Sequence, residues 1–274
     1  MEHSYGDDAS HRFDYYAPPG EAQLGPLLVW VHGGAWRSED KADYADLARS
    51  LVRRTGCPVA VPNYRLTSPQ NPVQHPAHAS DLLHFLHFLF KSPDAQHAHG
   101  QPQCPPPGLV LIGHSCSAHM LSSILLSGPH PQLEPTPQLL AATKAVIVSE
   151  GIYDVDALLH SFPAYKEWFI ANAFGDRATY PDVNVASYPS RLGSEHIHWL
   201  VLHSKGDLLV DLLQSETMYA HLASLGSKVT KNFDDLQDNH NDLLHGDVYA
   251  RIVAEFVATV RAPPTAGTPP ASGD

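Results

Sequence analysis

The sequence predicts an α/β protein built around one mostly parallel sheet. Short apolar runs alternate along the chain with longer segments in which apolar residues recur at helical spacing. This alternation is typical of buried parallel strands whose two faces are covered by helices. A chain of 274 residues is long enough to bury the core of such a fold in one domain.

Strands are expected where an apolar run is bounded by turn residues. In chain order, the expected strands are residues 27–31, 58–64, 109–112, 145–148, 199–202 and 228–233. Helices are expected over residues 40–54, 76–90, 117–126, 212–225 and 241–259. Active sites in such sheets lie at the carboxyl ends of the strands, so the residues that follow each strand are the functional candidates.

The connection over residues 152–190 is too long for a simple link between two elements. It contains a helix-like run over 164–173, and we expect it to form a small cap over the strand ends. Residues 13–261 then form a single domain, with residues 1–12 as a flexible N-terminus. Residues 262–274 are rich in proline and have little to bury, so a disordered tail is expected.

The composition limits the class of partner. The chain has 17 Lys and Arg against 29 Asp and Glu, a net charge of −12, which disfavours nucleic acid and anionic membranes. No secretory signal is visible, and no apolar run approaches the roughly 20 residues of a membrane span. Cys57, Cys104 and Cys116 are too few and scattered for a disulfide framework or a zinc site. We expect a cytoplasmic enzyme with a small-molecule substrate; whether it forms a homodimer stays open.

One serine lies at a junction between an apolar strand and a helix. The strand 109–112 runs into Gly113-His114-Ser115-Cys116-Ser117, and the helix follows. This pattern is typical of the nucleophile elbow of α/β-hydrolases, in which a strained turn exposes the serine at a helix N-terminus. Ser117 stands where the usual G-x-S-x-G pattern has glycine, and serine is the next-smallest residue that fits there. A strand–turn–helix serine without catalytic function is the alternative.

A glycine pair follows the first expected strand, in His32-Gly33-Gly34-Ala35-Trp36. Adjacent glycines let backbone N–H groups approach an oxyanion to about 3 Å. An HGG run after an early strand is typical of the oxyanion loop of esterases and lipases. We therefore expect Gly33, Gly34 and the N–H of Cys116 to form the oxyanion hole. The alternative is an ordinary glycine turn.

The order of catalytic residues along this fold is serine, acid, histidine. The general base is therefore expected among the histidines that follow the acid. His221 lies in an expected amphipathic helix, and His245 lies inside the last helix. His240 lies in the polar loop between the last strand and the last helix, from which it can reach over the sheet. His240 is the expected general base.

The expected acid is Asp207, in the turn after strand 199–202, where a carboxylate can orient the base. Asp211, at the start of the next helix, and the more distant Asp154 are its rivals. The predicted catalytic set is therefore Ser115 as nucleophile, His240 as base and Asp207 as the orienting acid. This chemistry needs no metal and no organic cofactor.

Several motifs strengthen this interpretation when they are taken in order. They are HGGAW (32–36), PNYRL (62–66), GHSCS (113–117), GIYD (151–154), HSKGD (203–207) and NHND (239–242). Together they resemble the kynurenine formamidases (arylformamidases), particularly the fungal ones, over about residues 13–260. The resemblance implies hydrolysis of N-formyl-L-kynurenine to L-kynurenine and formate, a step of tryptophan breakdown that leads to NAD.

Such a substrate has a minimal acyl group, an aromatic leaving group and a zwitterionic end. Aromatic walls suit the leaving group. The candidates for the pocket are Trp36, His114, Tyr153 and Trp168, with Tyr165 and Phe169 also available. Ordinary core or cap packing is the alternative for each.

The partners of the zwitterionic end stay open between Glu150 and Asn172, while Arg65 is expected to form a structural ion pair. Two other functions also stay open. One is a carboxylesterase that acts on small esters with the same triad. The other is a catalytically silent binding protein with a hydrolase fold.

Overall fold

In the computed structural model of the protein, residues 2–19, 25–90 and 107–261 are described, and they contain an eight-stranded sheet. The strands are β1 (Glu2–Ser4), β2 (Arg12–Tyr16), β3 (Leu27–Val31), β4 (Val59–Pro62), β5 (Leu109–His114), β6 (Thr143–Ser149), β7 (His198–Leu202) and β8 (Lys228–Asn232). Their spatial order is β1-β2-β4-β3-β5-β6-β7-β8. Strands β3 to β8 are parallel, and β2 is antiparallel to both β1 and β4. The predicted mostly parallel sheet is confirmed.

Helices cover both faces of the sheet. They are α1 (Ala45–Thr55), α2 (Ala77–Phe88), α3 (Cys116–Leu125), α4 (Pro137–Ala142), α5 (Val155–Ser161), α6 (Ala171–Phe174), α7 (Leu212–Ser224) and α8 (Asp247–Val260). One core contains α1 and α8 residues, and the core on the other face contains α2, α3 and α7 residues. Alternate residues of β3 enter different cores, as the period of a strand requires: Leu28 and Trp30 on one face, Val29 and Val31 on the other. None of the helices in the described ranges has the length and apolarity needed to cross a bilayer.

The N-terminal segment differs from the expectation for residues 1–12. Residues 2–4 form β1, and Tyr5 is buried, with its hydroxyl donating to the carbonyl of Asn63 at 2.6 Å. Phe13 and Tyr15 of β2 are also buried, so this segment has an apolar surface on which to pack. The expectation of a flexible terminus is therefore wrong for residues 2–12. Residue 1 and the tail 262–274 lie outside the described residues.

The segment 152–190 connects β6 to β7 and contains α5, a π-helix (Lys166–Ile170) and α6. Two single 3₁₀ turns follow, Pro181–Val183 and Val185–Ser187. The helix-like run over 164–173 corresponds to the π-helix and α6. A π-helical turn is rare and is frequently found beside a functional site.

Several histidines are buried without a charge. The Nε2 atom of His119 in α3 donates to the carbonyl of Val183 at 2.8 Å and joins α3 to the segment 152–190. Burial lowers the pKa of His119 to about 4. Burial also lowers the pKa of His78 to about 4, although the nearby Asp81 opposes that shift. Both imidazoles are therefore neutral in the folded protein near pH 7.

We predict that these histidines make the fold sensitive to acid. An imidazole whose pKa is lowered by folding contributes stability above its ordinary pKa of 6.5, and the contribution is lost as the pH falls towards about 4. Each such group changes the free energy of unfolding by at most about 1.4 kcal/mol per pH unit.

The variant His119→Gln isolates one of these groups, since a glutamine amide can still donate to Val183. Its free energy of unfolding should fall less than that of the wild type between pH 7 and pH 5. Urea unfolding at pH 7, 6 and 5 measures the difference. Equal pH dependences in the two proteins would contradict the prediction.

Candidate active site

Ser115 lies in the turn between β5 and α3, at the carboxyl end of a central strand. Its backbone has φ +57° and ψ −124°, a region that residues other than glycine rarely adopt. Its N–H donates to the carbonyl of Ser149 at 2.9 Å, which ties the turn to the end of β6. Strain of this kind at a residue other than glycine is typical of a functional site.

Ser117, which replaces the usual glycine, is fully buried beneath this turn. Its Oγ accepts the N–H of His114 at 2.8 Å and lies 2.7 Å from the carbonyl oxygen of Val31. The Ser117 hydroxyl therefore joins the end of β5 to the end of β3. The serine contributes hydrogen bonds here that a glycine could not provide.

His240 and Asp207 are in direct contact. Nδ1 of His240 lies 2.7 Å from Oδ2 of Asp207, while Oδ1 of Asp207 accepts the N–H groups of Leu209 and Val210 at 2.7 and 3.0 Å. Burial opposes ionisation of Asp207, but interactions with His240 and Glu150 outweigh it and hold the pKa of Asp207 well below its ordinary value. The ionised carboxylate keeps the proton of a neutral His240 ring on Nδ1, which leaves Nε2 as the acceptor.

The rivals of these two residues have other roles. Asp154 and Asp211 are the N-caps of α5 and α7, and their side chains accept N–H groups of those helices. His221 contacts the carbonyl of Tyr188 at 2.8 Å, and His245 is exposed in a 3₁₀ turn before α8. Only the Asp207–His240 pair among these candidates combines a carboxylate and an imidazole in contact.

Ser115 and His240 line one cavity of about 190 Å³ at the carboxyl ends of the strands. The loop after β3 forms part of the wall, and residues of the segment 152–190, together with Leu209 and Val210, form another part. The residues that this segment contributes are Ile152, Tyr165, Trp168 and Phe169. The segment therefore contributes part of the wall of this cavity. A cavity of this size and lining suits a small aromatic molecule.

Three of the four expected pocket residues do not line this cavity. Trp168 does, but Trp36, His114 and Tyr153 are fully buried. Trp36 packs against Phe174, with ring centroids 4.8 Å apart. His114 packs against His240, with ring centroids 4.6 Å apart. These three expectations are corrected, because each side chain is enclosed in the core and does not face the cavity.

The residues proposed from the sequence for the zwitterionic end are also elsewhere. Asn172 is exposed and outside the lining of the cavity, and Glu150 is fully buried. Arg65 forms the expected structural ion pair, donating from Nε and Nη2 to Asp81 at 2.7 and 2.6 Å.

One glycine of the pair after β3 lines the cavity, and the other is buried. Gly34 lines the cavity with φ +92°, and a Cβ on it would lie 2.1 Å from the carbonyl oxygen of Ser38, so only glycine fits. Ala35 also lines the cavity. Gly33 is buried and lies outside the lining of the cavity. Gly34 is therefore the glycine of the pair that faces the cavity.

The thiol of Cys116 is fully enclosed at the start of α3. Sγ accepts the N–H of Trp36 at 3.3 Å, and burial raises the pKa of the thiol to about 12. The thiol is therefore protonated and has no access to a ligand. The backbone N–H of Cys116, in the first turn of α3, has no partner within the helix.

A second carboxyl group, Glu150, lies behind the Asp207–His240 pair. It has φ +51°, and its Oε1 accepts the N–H of Ser204 at 2.8 Å. Burial, and then the neighbouring Asp207, raise the pKa of Glu150 to about 11. Glu150 is therefore a neutral carboxylic acid at pH 7. The sequence suggests Glu150 only as a partner of a zwitterionic substrate end, and nothing local in the sequence indicates its position beside Asp207.

Glu150, Asp207 and His240 are, within the described ranges, the one group of acidic, histidine or cysteine side chains whose donor atoms converge, all within 4.8 Å of one another. The direct contact of Asp207 with His240 and the neutral state of Glu150 favour a shared proton network over an ion site.

The model of the BD-FAE family matches residues 13–222. The chain belongs to the BD-FAE family. This BD-FAE chain is 29% identical over 259 residues to the kynurenine formamidase of Eremothecium gossypii, an alignment that covers 89% of the chain and 98% of that relative. Several fungal kynurenine formamidases align at 26–29% identity, which confirms the predicted resemblance.

The chain is also similar to two proteins that are named as esterases. The chain is 28% identical over 233 residues to a probable isoprenylcysteine alpha-carbonyl methylesterase of Oryza sativa, covering 82% of the chain and 54% of that protein. The solved structure of a truncated carbohydrate esterase from gut microbiota matches with a TM-score of 0.73 at 16% identity, over 95% of this chain and 96% of that chain. The predicted α/β-hydrolase fold is confirmed, and the BD-FAE chain is a hydrolase.

We predict that Ser117→Ala destabilises the BD-FAE fold by about 1–3 kcal/mol, because the N–H of His114 loses its buried acceptor. Ser122→Ala is the matched control, since its buried hydroxyl donates only to the carbonyl of Ala118 within α3. Urea unfolding measures both variants. An equal loss of stability in both would contradict the role of Ser117 in joining β5 to β3.

We also predict a pH-dependent stability that arises from Glu150. A carboxyl group whose pKa is raised by folding from 4.5 to about 11 contributes stability below pH 4.5, and this is lost progressively as the pH rises towards 11. The free energy of unfolding should therefore decrease above pH 4.5 by at most about 1.4 kcal/mol per unit.

The variant Glu150→Gln is neutral at every pH and keeps an acceptor for the N–H of Ser204. Its free energy of unfolding should lack this slope when urea unfolding is measured between pH 6 and pH 9. Parallel slopes in the two proteins would show that the carboxyl of Glu150 is ionised in the fold.

Proposed function

We propose that this protein is a kynurenine formamidase, which hydrolyses N-formyl-L-kynurenine to L-kynurenine and formate in tryptophan catabolism towards NAD. The observation that carries the proposal is that Ser115 and His240 line one cavity while His240 is hydrogen-bonded to Asp207. The similarity to the Eremothecium gossypii kynurenine formamidase, over 98% of that protein, supports the choice of substrate.

In the proposed mechanism, Ser115 is the nucleophile and His240 is the base. The Ser115 hydroxyl transfers its proton to Nε2 of His240 as Oγ bonds to the formyl carbon, and Asp207 stabilises the imidazolium that forms. The C–N bond then breaks while His240 returns the proton to the departing aryl amine. A formyl ester on Ser115 remains. Water, deprotonated by His240, attacks this ester, and formate leaves as Ser115 regains its proton.

The oxyanion of each tetrahedral intermediate lies between two chain segments in this proposal. The N–H groups of Gly34 and Cys116 donate to it, one from the loop after β3 and one from the start of α3. Gly33 contributes by shaping the loop, since it is buried outside the lining of the cavity. Loss of one donor of this kind typically raises the barrier by about 2.7–4 kcal/mol.

The cavity supports a small acyl group joined to an aromatic leaving group. Its volume of about 190 Å³ is small, and Tyr165, Trp168 and Phe169 offer aromatic surface. We propose that the reaction takes place in the cytoplasm, since Cys57 and Cys116 are both free thiols.

A carboxylesterase acting on small esters is the second candidate, and the similarity to the Oryza sativa protein named a methylesterase favours it. The same nucleophile and base would serve an ester. A silent binding protein is disfavoured, because such a protein does not need an imidazole oriented by Asp207 beside a strained serine.

The test is to assay N-formyl-L-kynurenine and p-nitrophenyl acetate side by side. Formamide turnover should fall by roughly 10³-fold or more in Ser115→Ala and in His240→Ala, because the two residues act as one unit. His245→Ala is the matched control and should retain wild-type turnover, since His245 is exposed.

Three other results of these assays would each contradict a part of the proposal. Ester turnover far above formamide turnover would show a carboxylesterase. No Ser115-dependent turnover of either substrate would show a binding protein. An inactive His245→Ala variant beside an active His240→Ala variant would show that the base is assigned wrongly.

A further inference from the structure

Glu39 is an acidic side chain in the cavity wall that the proposed mechanism does not use. It follows the glycine loop after β3 and lines the same cavity as Ser115 and His240. Its backbone has φ +74°, a conformation that costs a glutamate on the order of 1–3 kcal/mol. The surrounding loop therefore holds this side chain in place against its local preference.

A neutral donor orients the carboxylate of Glu39. The hydroxyl of Tyr44 donates to Oε2. Burial is the largest influence and raises the pKa of Glu39 above its ordinary value, while Tyr44 and then the nearby His240 oppose that shift. One carboxylate oxygen is thus fixed to the protein, and the group lies at the surface of the cavity.

The ion pairs within the described ranges give Glu39 no basic partner. The two basic residues that flank it in sequence are used elsewhere. Arg37 donates to the carbonyl of Trp168 at 2.7 Å, and Lys41 pairs with Glu2 and Asp14. A half-buried carboxylate that faces a cavity without a protein cation is suited to a cation on the ligand.

We propose that Glu39 binds a primary ammonium group on the leaving-group side of the substrate, so that the enzyme selects aryl formamides that carry such a group. This inference rests on the proposed function and deepens it. Tyr165 and Trp168 would hold the aromatic ring, and Gly34 would hold the formyl oxygen. Glu39 takes no part in the proposed bond changes, so its charge acts on substrate binding and hence on KM more than on kcat.

The variant Glu39→Gln tests this proposal, because it removes the charge and keeps an acceptor for Tyr44. The two substrates to compare are N-formyl-L-kynurenine and its desamino analogue, 4-(2-formamidophenyl)-4-oxobutanoate. We expect kcat/KM to fall roughly 10- to 100-fold for the first substrate, mainly through KM, and to stay equal or rise for the second. Glu167→Gln is the matched control, since it removes an exposed charge next to Trp168 without altering the lining of the cavity.

A second measurement needs no turnover. Calorimetric titration should show that the wild type binds L-kynurenine more tightly than its desamino analogue, and that Glu39→Gln loses this preference. If neither formamide is hydrolysed but the preference in binding is present and depends on Glu39, the proposed function fails and the ammonium site stands.

Three results would overturn the ammonium site. The first is an equal loss of kcat/KM on both substrates, which would assign Glu39 a structural role or an effect on His240. The second is no change on either substrate in Glu39→Gln. The third is a wild type that binds L-kynurenine no more tightly than the desamino analogue.

Discussion

The site depends on the strained backbone of Ser115. A serine with φ +57° is held there only because its neighbours fix both sides of the turn. β5 lies between β3 and β6, and the turn is bonded to each of them, to Ser149 directly and to Val31 through the Ser117 hydroxyl. The same contacts set the distance between α3 and the glycine loop, and thus the position of the cavity.

Burial disfavours ionisation of both carboxyl groups near His240, but their different partners leave them in opposite protonation states. Asp207 contacts His240 and two backbone N–H groups, so it remains ionised despite its burial. Glu150 has fewer such donors and an ionised neighbour, so burial keeps its proton in place. Environments that separate the pKa values of two close carboxyl groups are a common feature of catalytic sites. A single negative charge therefore faces the imidazole, and the pair does not repel itself.

The sequence was sufficient for features that depend on local pattern. The parallel strands, the Ser115 turn, and the positions of Asp207 and His240 in loops after late strands all follow from periodicity and chain order. No apolar run predicts the antiparallel edge β1–β2, because its two short strands lack one. Burial is harder to predict from sequence. The residue types of Trp36 and Tyr153 suit a ligand pocket, yet the core needs large aromatic residues for the same reason.

Backbone strain is shared by residues near the site that sequence patterns indicate and by others that they do not. In the described part of the chain, the non-glycine residues with positive φ are Ala35, Trp36, Glu39, Ser115 and Glu150. All five follow β3, β5 or β6, at the carboxyl ends of adjacent strands, and none lies elsewhere in the described fold. A strained backbone conformation persists only where the surrounding packing holds it. Such conformations cluster at functional sites, where a side chain or backbone group must point in an unusual direction. Ser115 and Glu39 face the cavity, and Glu150 supports it from behind. The strained positions thus surround the site, and neither residue type nor periodicity in the sequence predicts which positions these are.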